Sequence, residues 1–153
     1  MLAACKNIGV SHIANGAYRL HPVEWNVGEA AGALAAFALA RGVAPRNVPG
    51  NDDLLRDYQQ VLLDRGVPVF WWTDVAFGTP YFDAVQMLGV RGIVSGYDDM
   101  RFGPSDALAP ADRIALAADA GVELPASGDL TRGQAAQLIG TQLALVKPPQ
   151  TFA

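Results

Sequence analysis

The sequence predicts a mainly α fold with short strands. Three observations carry that prediction. The run His21 to Leu39 is rich in alanine and glycine and opens with Pro22, a residue suited to a first helical turn. Four later apolar segments begin at helix-start residues: Asn51 or Asp52, Thr79, Ala109-Pro110 and Thr131. Strand candidates are few and short: Lys6 to Val10, Val67 to Trp71, and Ile93-Val94.

The helix over His21–Leu39 has Glu24 near its start, where a carboxylate complements the positive end of the helix dipole. Gly28, Ala31, Gly32 and Ala35 recur at spacings of three and four, forming a strip of small residues that another backbone could approach. Val27, Leu34 and Leu39 add bulk beside it, and Arg41-Gly42 ends it with a cation and a glycine. Upstream, Ser11 to Arg19 has Asn15-Gly16 at its centre and reads as a loop with a turn. Downstream, Pro45 and Pro49 mark a connector. A second helix runs from about Asp53 to Arg65, with Leu54, Leu55, Tyr58, Val61 and Leu62 on one face.

The later helices are expected from Thr79-Pro80 to about Leu88, from Ala109-Pro110 to about Ala120, and from Thr131 to about Val146. Tyr81, Phe82, Val85 and Leu88 share a helical spacing and are read as core. Trp25, Trp71 and Trp72 are read as packing anchors. The stretches beginning at Leu108 and Leu130 share a shape, a loop leucine followed by a helix start and an alanine-bearing interior, at a spacing of 22 residues.

Length and charge narrow the functional classes. A chain of 153 residues has room for one modest domain or two small ones. Residues 1–68 hold six basic and six acidic side chains, and residues 69–153 hold five and nine, so the net charge of −4 lies in the second half. Neither half has a basic patch, which argues against nucleic acid as a partner. The longest apolar run, Ala30 to Ala40, is about half of the roughly 20 residues that span a bilayer, so no membrane span is expected. Cys5 is the only cysteine, so no disulfide forms within the chain.

The common catalytic signatures are missing. There is no GxGxxG and no GxxxxGK[ST]. His12 and His21 are the only histidines, too few with one cysteine for a closed zinc site, and no metal site is expected. Asp98, Asp99 and Asp106 lack the spacing of a calcium loop. One polar constellation is left: Asn7, His12, Asn15, Arg19, His21 and Glu24, placed just before a small-residue helix. Helix N-termini offer free N–H donors and positive potential, so this region is the candidate anion or cofactor site.

The run KNIGVSHIANGAYRLHPVEWNVGEAAGALAAFAL resembles the C-terminal flavin-binding segment of the FAD-dependent oxidoreductases with a glutathione-reductase-like nucleotide fold. Gly28-Glu29-Ala30-Ala31-Gly32 matches that family's G-[EQ]-A-x-G helix, and Arg19 matches the arginine that precedes it. The similarity covers about residues 2–68 and is most specific over residues 5–40. It implies FAD as cofactor, with the helix N-terminus at the pyrimidine edge of the isoalloxazine. It also implies cofactor-binding positions at Asn7, His12, Arg19, His21, Val27, Gly28 and Glu29. The family's N-terminal GxGxxG unit is absent from these residues, so FAD is expected only together with such a unit.

The run from Thr73 to Leu116 resembles an S-layer homology module. Asp74-Val75, Tyr81 to Leu88, Gly92-Ile93, Gly96-Tyr97, Phe102 and Pro104 carry the likeness. That family opens its last helix with a Thr-Arg pair whose arginine helps to hold anionic cell-wall polysaccharide. Thr131-Arg132 keeps the pair, while the first copy, Ala109-Pro110-Ala111-Asp112, has lost it.

Together the resemblances imply the C-terminal fragment of a bacterial FAD-dependent oxidoreductase. Residues 1–68 would be the end of its α/β flavin domain, 69–146 a small helical S-layer-homology-like appendage, and 147–153 a tail. The partner would be the rest of the parent flavoprotein, and little or no turnover is expected of the chain alone. The alternatives are a non-catalytic module that docks cell-wall polysaccharide or protein, and a purely structural helical piece. With no nucleotide-binding sheet in the chain, the strip Gly28, Ala31, Gly32 and Ala35 is expected to stay exposed.

Overall fold

A computed structural model describes residues 2–146, so the expected tail at 147–153 lies outside the described residues. About half of the chain is helical. Among the described residues six α-helices follow one another: α1 (His12–Tyr18), α2 (His21–Arg41), α3 (Asp52–Leu63), α4 (Phe82–Gly89), α5 (Pro110–Ala120) and α6 (Arg132–Gln142), with a 3-10 turn at Pro45–Asn47 between α2 and α3. The described residues fall into two compact units that divide between Leu62 and Leu63.

The expected short strands do not form. Among the described residues the only bridge is an isolated antiparallel pair, Ala107 with Thr131. Lys6 to Val10 is a turn followed by irregular chain, and Val67 to Trp71 is irregular with a bend. A lone strand leaves its backbone groups unpaired, so each segment finds other partners. Near the N-terminus, Asn7 Oδ1 accepts from the N–H groups of Ala4 and Cys5 at 3.0 and 3.1 Å. At the second segment, the buried Gln86 Oε1 accepts from Val69 N–H at 3.0 Å and Phe70 N–H at 2.8 Å.

A second correction concerns His12 to Tyr18, which forms α1 rather than a loop. Ser11 caps it, its hydroxyl accepting from Ala14 N–H at 3.2 Å. The cap and the helical bonds prevail over the turn propensity of Asn15-Gly16.

In the first unit α2 is the longest element, and its last turn closes where Gly42 adopts a left-handed conformation. Tyr58 of α3 donates its hydroxyl to the Ala30 carbonyl at 2.8 Å, and its ring meets that of Phe37 at 5.8 Å. Burial raises the Tyr58 phenol above its ordinary value. Arg41 pairs with Asp57 at 2.7 Å while lying over the Phe37 ring. Asn51 caps α3 as its sequence suggests, accepting from Leu54 N–H at 2.9 Å.

The second unit is built on α4, in which seven of eight residues are buried. It packs on α6 through Ala136, Ile139 and Gly140, where a Cβ on Gly140 would stand 3.0 Å from that of Ala84. Phe82, Val85 and Leu88 are core as expected, with Tyr81 packed against them. Thr79 does not cap α4. Its hydroxyl donates to the Ala76 carbonyl, and the helix starts later, at Phe82. Of the tryptophans, Trp72 packs between Phe70 and Phe102, whereas Trp25 and Trp71 are exposed and anchor nothing.

The two 22-residue copies meet at their starts. Leu108 N–H bonds to the Leu130 carbonyl at 2.8 Å and Arg132 N–H to the Asp106 carbonyl at 2.9 Å. Leu108, Leu130 and Ala135 then form a small satellite core. Thr131 and Gln134 complete a capping box at the start of α6.

Candidate functional site

The start of α2 differs from that of α6. Its cap position is Leu20, which brings no side-chain acceptor, so the first N–H groups of α2 meet no capping oxygen. Glu24, one turn in, is buried at 6 % exposure. Lys6 Nζ lies 3.5 Å from Glu24 Oε1, and His21 Nδ1 lies 3.5 Å from Oε2. Oε1 itself accepts no hydrogen bond.

These residues border an open cleft of about 550 Å³. Ala4 and Cys5 line one side. His21, Glu24, Trp25, Gly28 and Glu29 of α2 line the other. The cleft therefore gathers three of the seven expected cofactor-binding residues, His21, Gly28 and Glu29. Asn7 stands just behind it, shaping the turn that presents Ala4 and Cys5. Three expected residues are elsewhere. His12 is on the exposed α1 and Arg19 is its exposed cap residue, while Val27 is part-buried on α2 and does not line the cleft.

Gly28 has a different use from the one its motif suggests. A Cβ there would stand 3.0 Å from the Ala4 carbonyl oxygen, so the close approach it allows is taken by the chain's own loop. The small-residue strip stays open in part: Gly32 is exposed, and Gly28, Ala31 and Ala35 are part-buried.

Sequence reasoning missed Lys6, Cys5 and Trp25. The ion pair of Lys6 with Glu24 spans 18 positions and has no local signature. The pair of His21 with Glu24 does have one, since residues three apart share a helix face. No cluster of three or more histidine, cysteine or carboxylate groups among the described residues could hold a metal ion.

As a place for one edge of a flavin, the donor set fits. An uncapped helix start and Lys6 offer donors, the unsatisfied Glu24 oxygen offers an acceptor, and the volume lies within the range of small-molecule sites.

In the second unit the Thr-Arg pair is engaged internally. Arg132 Nε donates to the Phe102 carbonyl at 2.8 Å and Nη2 to the Ser95 carbonyl at 2.6 Å. Its guanidinium also lies over the rings of Tyr97 and Phe102, at 5.2 and 4.9 Å. The neighbouring cleft, about 260 Å³, sets Asp112 and Asp119 opposite this single arginine. Asp74 likewise serves the backbone, accepting from Phe102 N–H at 2.7 Å and Gly103 N–H at 2.8 Å. Tyr97 donates to Asp106 at 2.9 Å, and that hydrogen bond, with burial and the Asp106 charge, raises its phenol above the ordinary value. Asp99 is held below the usual carboxylate range by its hydrogen bonds from Arg101.

Family models match both halves. Residues 1–62 match that of the FAD dependent oxidoreductases, and residues 73–108 match that of the S-layer homology domain. No curated protein and no solved structure matches the chain. The first part of the chain is thus similar to FAD dependent oxidoreductases and the part that follows is similar to an S-layer homology domain. No helix among the described residues is long and apolar enough to cross a membrane.

Proposed function

We propose that residues 1–68 are the C-terminal segment of an FAD-binding domain and supply the flavin-facing loop and helix of an FAD-dependent oxidoreductase. Residues 69–146 are then an S-layer-homology-like module attached to it. The observation that carries this reading is the cleft at the start of α2, which falls wholly inside the matched residues 1–62.

When bound, the flavin supplies hydride or electron transfer. The residues of this chain bind and orient it. The uncapped start of α2 places positive potential and N–H donors at the cleft, where they favour an electron-rich ring edge. Lys6 and His21 hold Glu24 at its rim, and the exposed Trp25 offers an apolar wall. The ADP half of FAD is held outside these 153 residues, which contain no GxGxxG. The chain by itself therefore binds flavin weakly and turns over little or nothing.

Equilibrium dialysis against FAD tests the reading. An excess of FAD on the protein side is the expected result. Equal FAD on both sides, together with retention of the protein on wall polysaccharide, would replace it by the docking alternative. The match of residues 73–108 favours a docking role for the second unit. The commitment of Arg132 to two carbonyls, and nine acidic against five basic residues in 69–153, favour protein over anionic polysaccharide as what docks there.

A further inference from the structure

Three polar side chains are buried in the described residues: Glu24, Gln86 and Arg113. Gln86 uses its oxygen twice, for Val69 and Phe70 N–H. Arg113 donates to the carbonyls of Leu108, Pro125 and Gly128. Oε1 of Glu24 and Nε of Arg113 are both buried with no hydrogen bond, and Glu24 lies on the cleft at the start of α2. A buried oxygen left in that state is costly, and it marks a place where a donor belongs.

The surroundings say what kind of donor. The charge of Glu24 is already answered by Lys6 at 3.5 Å, so a second cation is not what the site lacks. Among the described residues no third histidine, cysteine or carboxylate joins Glu24 in a cluster that could hold a metal ion. What remains is a neutral N–H on a group flat enough to enter beside Trp25 and the uncapped start of α2. The Lys6 side chain that pairs with Glu24 is 66 % exposed.

We propose that Glu24 is the acceptor for the imide N3–H of the isoalloxazine. This rests on the flavin-wall reading above and names the residue that recognises the ring. The pyrimidine edge of a flavin presents carbonyl, N–H and carbonyl in a row. The start of α2 and the Lys6 ammonium donate to the carbonyls, and Glu24 accepts from the N–H between them. Glu24 is thereby a binding residue whose role no family motif in the sequence announces.

The test uses the whole 153-residue chain and two probes, lumiflavin and 3-methyllumiflavin, which differ only in having N–H or N–CH₃ at that position. The protein is titrated into dilute probe and binding is read from flavin fluorescence. The wild-type chain should bind lumiflavin about 10- to 100-fold more tightly than its methylated analogue, the range of a hydrogen bond to a charged group. Glu24→Leu should bring the two affinities to within about two-fold of each other, since the variant has no acceptor to lose. Helical circular dichroism of the variant confirms that it folds, and the two-probe comparison on the wild type stands without it. Equal wild-type affinity for both probes overturns the assignment of Glu24 and leaves the flavin wall standing, as does a preference that survives in Glu24→Leu. No wild-type binding of either probe overturns the flavin wall, and the assignment with it.

Discussion

The two units bury their apolar residues to different degrees. In the second, α4 hides seven of its eight residues against α6 and the preceding segment. In the first, α1 buries none, and α2 buries only Glu24, Ala33, Phe37 and Ala38 along 21 residues. Ile13, Trp25 and Leu39 are 89, 76 and 84 % exposed. α2 is largely apolar too, with His21, Glu24, Asn26, Glu29 and Arg41 as its polar residues. Small side chains explain the difference. Alanine and glycine remove little area from water, and burial stabilises in proportion to area. The second unit thus has the makings of a self-supporting fold, and the first has the makings of a surface that works against something else.

The largest effect should come from the second unit's core. Leu88→Ala removes a fully buried side chain and should lower stability by about 2–5 kcal/mol in a denaturant titration. A change within experimental error would mean that α4 does not carry the core. Next is Gln86→Leu, which strips the acceptor from two backbone N–H groups and should cost about 1–3 kcal/mol for each one left dry. In the first unit the same kind of substitution should do little. Ile13→Ala and Leu39→Ala are each expected to stay within about 0.5 kcal/mol by thermal unfolding. A loss as large as that of Leu88→Ala would erase the contrast between the units.

The smallest effect is a titration. The Tyr97 phenol is raised by its hydrogen bond to Asp106, so it should ionise above 10.0 when followed by ultraviolet absorbance. Because the folded value lies above the unfolded one, whatever this group adds to stability is present below about pH 10 and lost as pH rises through the folded value. Asp106→Ala should bring the midpoint down, and an unmoved midpoint would remove the hydrogen bond from the account.

What could be read in advance follows from how local each signal is. Pro22 and Gly42 bracket α2, and Thr131 with Gln134 opens α6, because caps act within a few residues. The spacing of Phe82, Val85 and Leu88 exposes a helix face in the same local way. The failures are of two kinds. At Asn15-Gly16 one local signal lost to another, the Ser11 cap. At the strand candidates and at the site, the deciding partner was distant in sequence: Gln86 for Val69 and Phe70, and Lys6 for Glu24. The seven expected cofactor residues came from motif position. The structure gathers His21, Gly28 and Glu29 at one cleft and leaves His12 and Arg19 on exposed α1 and its end. Gly28 shows the limit of motif reasoning, since its missing side chain makes room for Ala4 rather than leaving a gap.

The most direct test of the first unit as a flavin-facing surface is amide hydrogen exchange of the 153-residue chain with and without saturating FAD. The account predicts slower exchange at the start of α2 and in the loop of Ala4 to Asn7, with α4 and α6 unchanged. Protection confined to α4, α5 or α6, or none anywhere at saturating FAD, would contradict it.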